Sequence, residues 1–359
     1  MAIDLKKVTV NVPAANLEDY FWVIAGIPKA GKTSLFAKLI EEYFGDIDKG
    51  LLLALEKGYQ ALKVKAVDIN EWKDLEEATD QLVKHKNELG IKMVGIDTAD
   101  IMYEYAQEEV IREWNRANPT KRTKDIGGVG AKGKSNQGFG AGYSLIKQKM
   151  RSIIDKLMKA GYGVMILTHS KDKKVEQKDG VEYDQLSVSL ASSARDIVIN
   201  MADFIVFVTI EKEKDENEKV QTKRYMYFRT DGYVEAGSRF KNVPERIEYD
   251  VLEFIQVFKN AVESEFAKGV NIDEIKKEQA ERREALANEY VEEAITGMNA
   301  KDLQSIIDTK IKGMSKPEKV KVAAAFTEII GGHADYTKVD DVEVLEKLVN
   351  VVDSTIQKK

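Results

Sequence analysis

The chain has 359 residues, a formal net charge of −6, 43% hydrophobic and 32% charged residues, and no cysteine. That excludes disulfides, cysteine-ligated zinc, iron–sulfur clusters and thiol catalysis, and three histidines leave little for a histidine metal site. The acidic balance argues against a surface that coats nucleic acid as a whole, so any polyanion site must be local, and no apolar run is long enough for a membrane role.

Met1 to Lys7 show no basic region followed by an apolar one, so no secretory signal is expected and the cytoplasm is the expected compartment. Residues 6–12 alternate like a short edge strand that stops at Pro13. The apolar run Tyr20 to Ala25 predicts a buried strand, and Ser34 to Phe44 carries apolar residues at helical spacing. Between them, Gly26-Ile27-Pro28-Lys29-Ala30-Gly31-Lys32-Thr33 fits G-x-x-x-x-G-K-[ST]. A loop folded over a helix N-terminus aims several backbone N–H groups at one point, where the helix dipole also favours anionic phosphate. Gly26 to Ser34 are therefore expected to hold the phosphates of ATP. Lys32 should reach the β- and γ-phosphates, and the Thr33 hydroxyl should ligate a bridging Mg²⁺.

Leu51 to Leu55 read as a strand buried on both faces that ends in Glu56. A carboxylate at the C-terminal end of a central strand lies where ligands bind in open α/β sheets, so Glu56 is a candidate to polarise an attacking water. The alternative is a solvated strand-end glutamate beside Lys57. A helix is expected over Asp74–Leu89, closed by Gly90, and the strand that follows ends in Asp97. An apolar strand ending in aspartate downstream of a P-loop is the Walker B pattern, with the carboxylate on the Mg²⁺ shell; Thr98 and Asp100 belong to the same edge.

Residues 101–116 look helical, and the composition then changes. In 117–142, Lys121, Arg122, Lys124, Lys132 and Lys134 stand among glycines against a lone Asp125. This predicts a flexible loop suited to a polyanion, flanked by Trp114, Phe139 and Tyr143 as stacking surfaces for unpaired bases; a solvated insertion is the alternative.

An amphipathic helix over Ser144–Ala160 leads to the strand Val164–Leu167, which terminates in Thr168-His169-Ser170. His169 is a candidate sensor of the γ-phosphate. Lys171 to Ser189 reads as an exposed hairpin around Lys178-Asp179-Gly180 with a basic arm of Lys171, Lys173 and Lys174. A short helix over 190–202 precedes an antiparallel pair, Phe204–Val208 and Lys223–Arg229. Arg229 and Arg239 are candidates to place a guanidinium on the nucleotide of the same or a neighbouring subunit. From about Leu252 helical periodicity dominates, with breaks near Gly297, Pro317 and Gly331-Gly332, so residues 1–258 are expected to form the α/β domain and 259–359 a helical domain or arm for partner or self contacts.

The order of strand, P-loop, helix, strand ending in Glu56, strand ending in Asp97, strand ending in Thr168-His169 and a terminal hairpin resembles the RecA-like ATPase core. Glu56 lies 24 residues after Lys32, where RecA proteins carry the glutamate that activates water. Leu55-Glu56-Lys57-Gly58-Tyr59, Leu167-Thr168-His169-Ser170-Lys171 and Gly237-Ser238-Arg239-Phe240 are similar to the phage-encoded RecA-like ATPases that assist single-strand annealing and recombination beside a single-stranded-DNA-binding protein. The resemblance spans about residues 18–250. It implies a mostly parallel sheet with helices on both faces, Mg²⁺-dependent ATP hydrolysis, DNA-binding loops at 117–142 and 171–186, and a homo-oligomeric ring or filament in the cytoplasm of a bacterial host. A RecA-type helicase or packaging motor, and a nucleotide-gated scaffold that binds a protein partner through its helical tail, are the competing readings.

Overall fold

The computed structural model describes residues 11–132, 135, 137–176, 180, 182–214, 218–267, 269–296, 300–312, 314–331 and 335–356. Lys134, the turn residues Lys178 and Asp179, the breaks at Gly297 and Gly332, and most of the edge strand expected over 6–12 lie outside them. Residues 11 and 12 belong to no strand.

The first part of the chain forms β1 (Phe21–Gly26), α1 (Lys32–Phe44), β2 (Gly50–Ala54), β3 (Ala66–Asp68), α2 (Trp72–Lys84), α3 (Lys86–Leu89), β4 (Met93–Asp97), α4 (Ala99–Ala117) and α5 (Ala141–Lys159). It continues with β5 (Gly163–Glu176), β6 (Glu182–Val188), α6 (Ser192–Met201), β7 (Phe204–Lys214), β8 (Val220–Tyr227), β9 (Gly237–Ser238), β10 (Arg246–Glu248) and α7 (Val251–Glu263). The helices α8 (Ile272–Thr296), α9 (Ala300–Lys312), α10 (Lys316–Ile330) and α11 (Val342–Ile356) follow.

The strands lie in the order β10-β8-β7-β1-β5-β4-β2-β3, with β6 on β5 and β9 on β7. The six from β7 to β3 are mutually parallel, whereas β8, β10, β6 and β9 pair antiparallel. This is the expected α/β core with antiparallel strands at its end. Alternation decides which side chains meet which layer. Trp22 and Ile24 of β1 join Leu35, Phe36, Leu39, Phe254 and Phe258 in one core under α1 and α7. Phe21, Val23 and Ala25 are buried on the other face, which α4, α5 and α6 cover. Trp22 stacks on Phe204 with ring centroids 4.1 Å apart.

Two compact units divide the chain, residues 1–288 and 289–359. The boundary expected after 258 falls inside α7, whose Phe254, Phe258, Ala261 and Val262 are part of the sheet core. An amphipathic helix reads alike whether it begins a new domain or closes an old one. Within the first unit the middle of α8 is also tied down: Arg283 pairs with Glu18 and Asp19, and Lys92 Nζ donates to Glu284 at 2.5 Å. The second unit has its own core of Leu303, Ile307, Val322, Phe326, Leu345, Leu348 and Val352. Among the described residues, no helix is long and apolar enough to cross a membrane.

Candidate active site

The parallel register assembles the site. Gly26 lies opposite His169, Asp97 opposite Leu167, and Ala54 opposite Asp97, so the ends of β1, β5, β4 and β2 form one edge. Because β5 stands between β1 and β4, the P-loop strand and the aspartate strand are separated by the strand that carries Thr168 and His169.

The loop between β1 and α1 turns on Gly31, whose φ of 113° lies in the region that only glycine enters freely. Lys29 also has a positive φ, of 65°. Lys32, buried at the first turn of α1, donates from Nζ to the carbonyl oxygens of Gly26 at 2.9 Å and Ile27 at 3.1 Å. Burial lowers the Lys32 ammonium from its ordinary value, while Asp97, Glu56 and Asp100 pull it back up. Beside it, Thr33 Oγ1 donates to Asp97 Oδ2 at 2.7 Å. Met93, Gly95 and Asp97 share one face of β4; Gly95 lets the Phe36 ring of α1 approach, with an added Cβ lying 2.9 Å from it. The same alternation brings Asp97 to Thr33. Burial raises the Asp97 carboxyl, opposed by the Thr33 hydrogen bond.

Glu56 is placed by backbone. The N–H groups of Leu55 and Glu56 both donate to the Asp97 carbonyl, at 2.7 and 3.0 Å. The Glu56 carboxylate is close enough to act electrostatically on both Lys32 and Asp97. On the far side, Asp100 organises the β5 end. Its Oδ2 accepts from the His169 backbone N–H at 3.0 Å, from Thr168 Oγ1 at 3.3 Å, and meets His169 Nδ1 at 3.1 Å.

A further contact was not legible in the sequence. Tyr249, between β10 and α7, donates its hydroxyl to the Gly31 carbonyl at 2.7 Å, and its ring occupies the space a Gly31 side chain would need. Burial pushes its phenol up to about 12, so it stays a neutral donor. The guanidinium of Arg224 lies over the same ring, 5.3 Å from its centroid.

The arginines singled out by sequence stand elsewhere. Arg239 pairs with Asp203 at 3.0 Å, and Asp203 also accepts from the Phe21 N–H at the start of β1. That is the sheet edge opposite the P-loop. Arg229 donates to the carbonyls of Phe240, Lys241 and Val243.

The described part of 118–140 is packed where a flexible loop was expected. It is folded on itself: Trp114 Nε1 donates to the Lys121 carbonyl, Asn115 exchanges hydrogen bonds with Thr123, and Ile126 and Val129 are buried. Its glycines allow close packing. A Cβ on Gly138 would overlap the Val129 carbonyl, and one on Gly142 would lie 2.5 Å from the Ile126 carbonyl. Arg122, Lys124 and Lys132 are exposed, while Lys121 Nζ reaches the Ser135 carbonyl at 3.3 Å. Arg112 pairs with Glu71, which caps α2 just past β3, so the part of α4 that leads into this segment lies by the C-terminal end of β3. Lys171, Lys173 and Lys174 are exposed on the part of β5 that continues past the same edge. Lys174 approaches Glu182 at 3.9 Å.

Residues 18–240 match the model of the AAA domain family. The chain belongs to that family. Its matched stretch contains the P-loop, Glu56, Asp97 and His169, and the family is one of P-loop ATPases. Among solved structures, a KaiC-like protein from the hyperthermophilic archaeon Pyrococcus horikoshii OT3 is similar, at 14% identity over 65% of this chain and 90% of that one. The TM-score of that match is 0.33. No curated protein sequence matches the AAA domain chain.

Proposed function

We propose that the protein hydrolyses ATP with Mg²⁺ and couples this to binding of single-stranded DNA, in annealing, recombination or replication. The observation that carries the hydrolytic part is the contact of Thr33 with Asp97, with Glu56 held beside it on the Asp97 carbonyl. These oxygens suit a hard cation, which is bound through few protein ligands and the nucleotide phosphates. Thr33 and Asp97 would hold the metal, whose contribution is to neutralise phosphate charge. Lys32, at the α1 N-terminus, supplies a fixed positive charge where negative charge develops on the phosphoryl group. Glu56 accepts a proton from the attacking water. His169, pinned by Asp100 opposite Gly26, reports whether the phosphate is present.

Support for the DNA part comes from charge placement. The loop bearing Lys121, Arg122, Lys124 and Lys132 against Asp125 is a local basic segment on an acidic protein, while the lysines of the β5 arm, Lys171, Lys173 and Lys174, alternate with Asp172 and face Glu182 and Asp184 of β6. Such an enzyme is expected to act as a ring or filament and to work beside a single-stranded-DNA-binding protein. The deciding measurement is ATP turnover with and without single-stranded DNA, paired with a strand-unwinding assay. Stimulation without unwinding supports the proposal; stimulation with unwinding makes the protein a helicase. Unchanged turnover with DNA, together with nucleotide-dependent capture of a protein partner, makes it a scaffold.

A further inference from the structure

Phe139 is the most exposed large hydrophobic side chain among the described residues, at 88%. Its backbone φ of 50° places a bulky residue in the left-handed region, a costly conformation that persists only where neighbouring structure imposes it. The imposing structure is visible. Gly138 N–H donates to the Gly127 carbonyl at 2.8 Å, the Ala141 N–H donates back to Gly138 at 3.0 Å, and a Cβ on Gly138 would overlap Val129. The two arms of the loop are therefore packed backbone to backbone, and Phe139 stands on them with Gly140 behind it as the N-cap of α5. Folding gains nothing from an aromatic ring left in water at a strained position.

The loop that carries the ring is basic. Lys121 is tied to the Ser135 carbonyl, which brings the segment carrying Arg122 and Lys124 alongside the one that leads to Phe139; Lys132 lies on the same loop and Tyr143, 42% exposed, on the first turn of α5. An aromatic face among cations that track a phosphate backbone is the arrangement that holds an unpaired base. We propose that Phe139 is a base-stacking residue for single-stranded nucleic acid, held rigidly in place by the loop rather than ordered on binding. This rests on the DNA-binding reading above.

The test uses the full chain with Mg²⁺ and a non-hydrolysable ATP analogue, and two fluorescent probes of equal length, an oligothymidylate and its abasic counterpart. Phe139→Ala should weaken oligothymidylate binding about tenfold while leaving abasic binding and the salt slope unchanged. Phe139→Trp should bind as the parent does, with its added indole emission quenched by the thymidylate probe alone. Equal affinity of Phe139→Ala and the parent for oligothymidylate overturns the assignment. So does an equal loss on both probes, or a change in self-association with thymidylate binding intact. If the parent chain shows no salt-sensitive binding to either probe, the DNA reading itself falls, an outcome distinct from failure at Phe139 alone.

Discussion

Thr33 donates its hydroxyl to Asp97 Oδ2 at 2.7 Å, joining the start of α1 to the end of β4. Asp97 is buried, at 3% exposure, and that burial raises its carboxyl from its ordinary value. A raised folded-state value means that stability falls as pH climbs through it, because the folded chain must then ionise a buried group. Asp97→Asn should therefore melt at a higher temperature than the parent at pH 7 without ligand, with the gap closing as pH falls toward the ordinary carboxylate value. The same variant should lose ATP turnover by roughly a hundredfold or more. Thermal melts across pH and steady-state turnover check both halves.

Glu56→Gln keeps the side-chain shape and both backbone hydrogen bonds to the Asp97 carbonyl but removes the proton acceptor. Nucleotide affinity should change by less than about threefold while turnover falls at least about a hundredfold. Equilibrium binding of a fluorescent ATP analogue beside single-turnover hydrolysis separates the two. Comparable losses in both would assign Glu56 to folding of the edge instead.

Lys86 carries a buried ammonium, 4% exposed, with no hydrogen-bond partner among the described residues, lying 3.9 Å from the centre of the Tyr162 ring. Desolvation lowers it to about 8 despite the nearby Glu284. Here stability is penalised below the folded value and recovers as pH rises from about 8 toward 10.5, where the unfolded chain also loses its proton. Lys86→Met should stabilise the first unit by about 2 kcal/mol at pH 7, and by little at pH 10. Urea unfolding at the two pH values reads the difference.

Gly138→Ala should open the basic loop, since the new methyl would overlap the Val129 carbonyl. A local cost of about 2 kcal/mol is expected. Limited trypsin digestion at Lys121, Arg122 and Lys124 should accelerate about tenfold, with the overall melting temperature little changed. An unaltered digestion pattern would mean that the glycine packing does not hold the loop.

The edge that carries the site was legible because each of its residues closes an apolar run: Glu56 after Leu51–Leu55, Asp97 after Met93–Ile96, His169 after Val164–Leu167. Buried parallel strands announce themselves in this way, and so do the polar residues at their ends. Tyr249 had no such signal, because its bond to Gly31 spans 218 positions and depends on how β10 meets α7. Asp100 was visible as a member of the edge, but its hold on His169 follows from the Gly26–His169 register. Gly138 and Gly142 differ from the expectation for another reason. Glycine marks both a chain that moves freely and one packed too tightly for a side chain, and only neighbours such as Val129 and Ile126 distinguish the two.

β5 has one more property. It begins buried at Gly163, passes His169 opposite the P-loop, and continues unbroken to Glu176 in the exposed hairpin with β6. Side chains two apart share a face, so His169, Lys171 and Lys173 form one row, and a rise of about 3.3 Å per residue sets Lys173 roughly 13 Å from the histidine. No joint separates them. The residue facing the P-loop and the outer lysines are thus joined by one continuous strand, with no intervening loop.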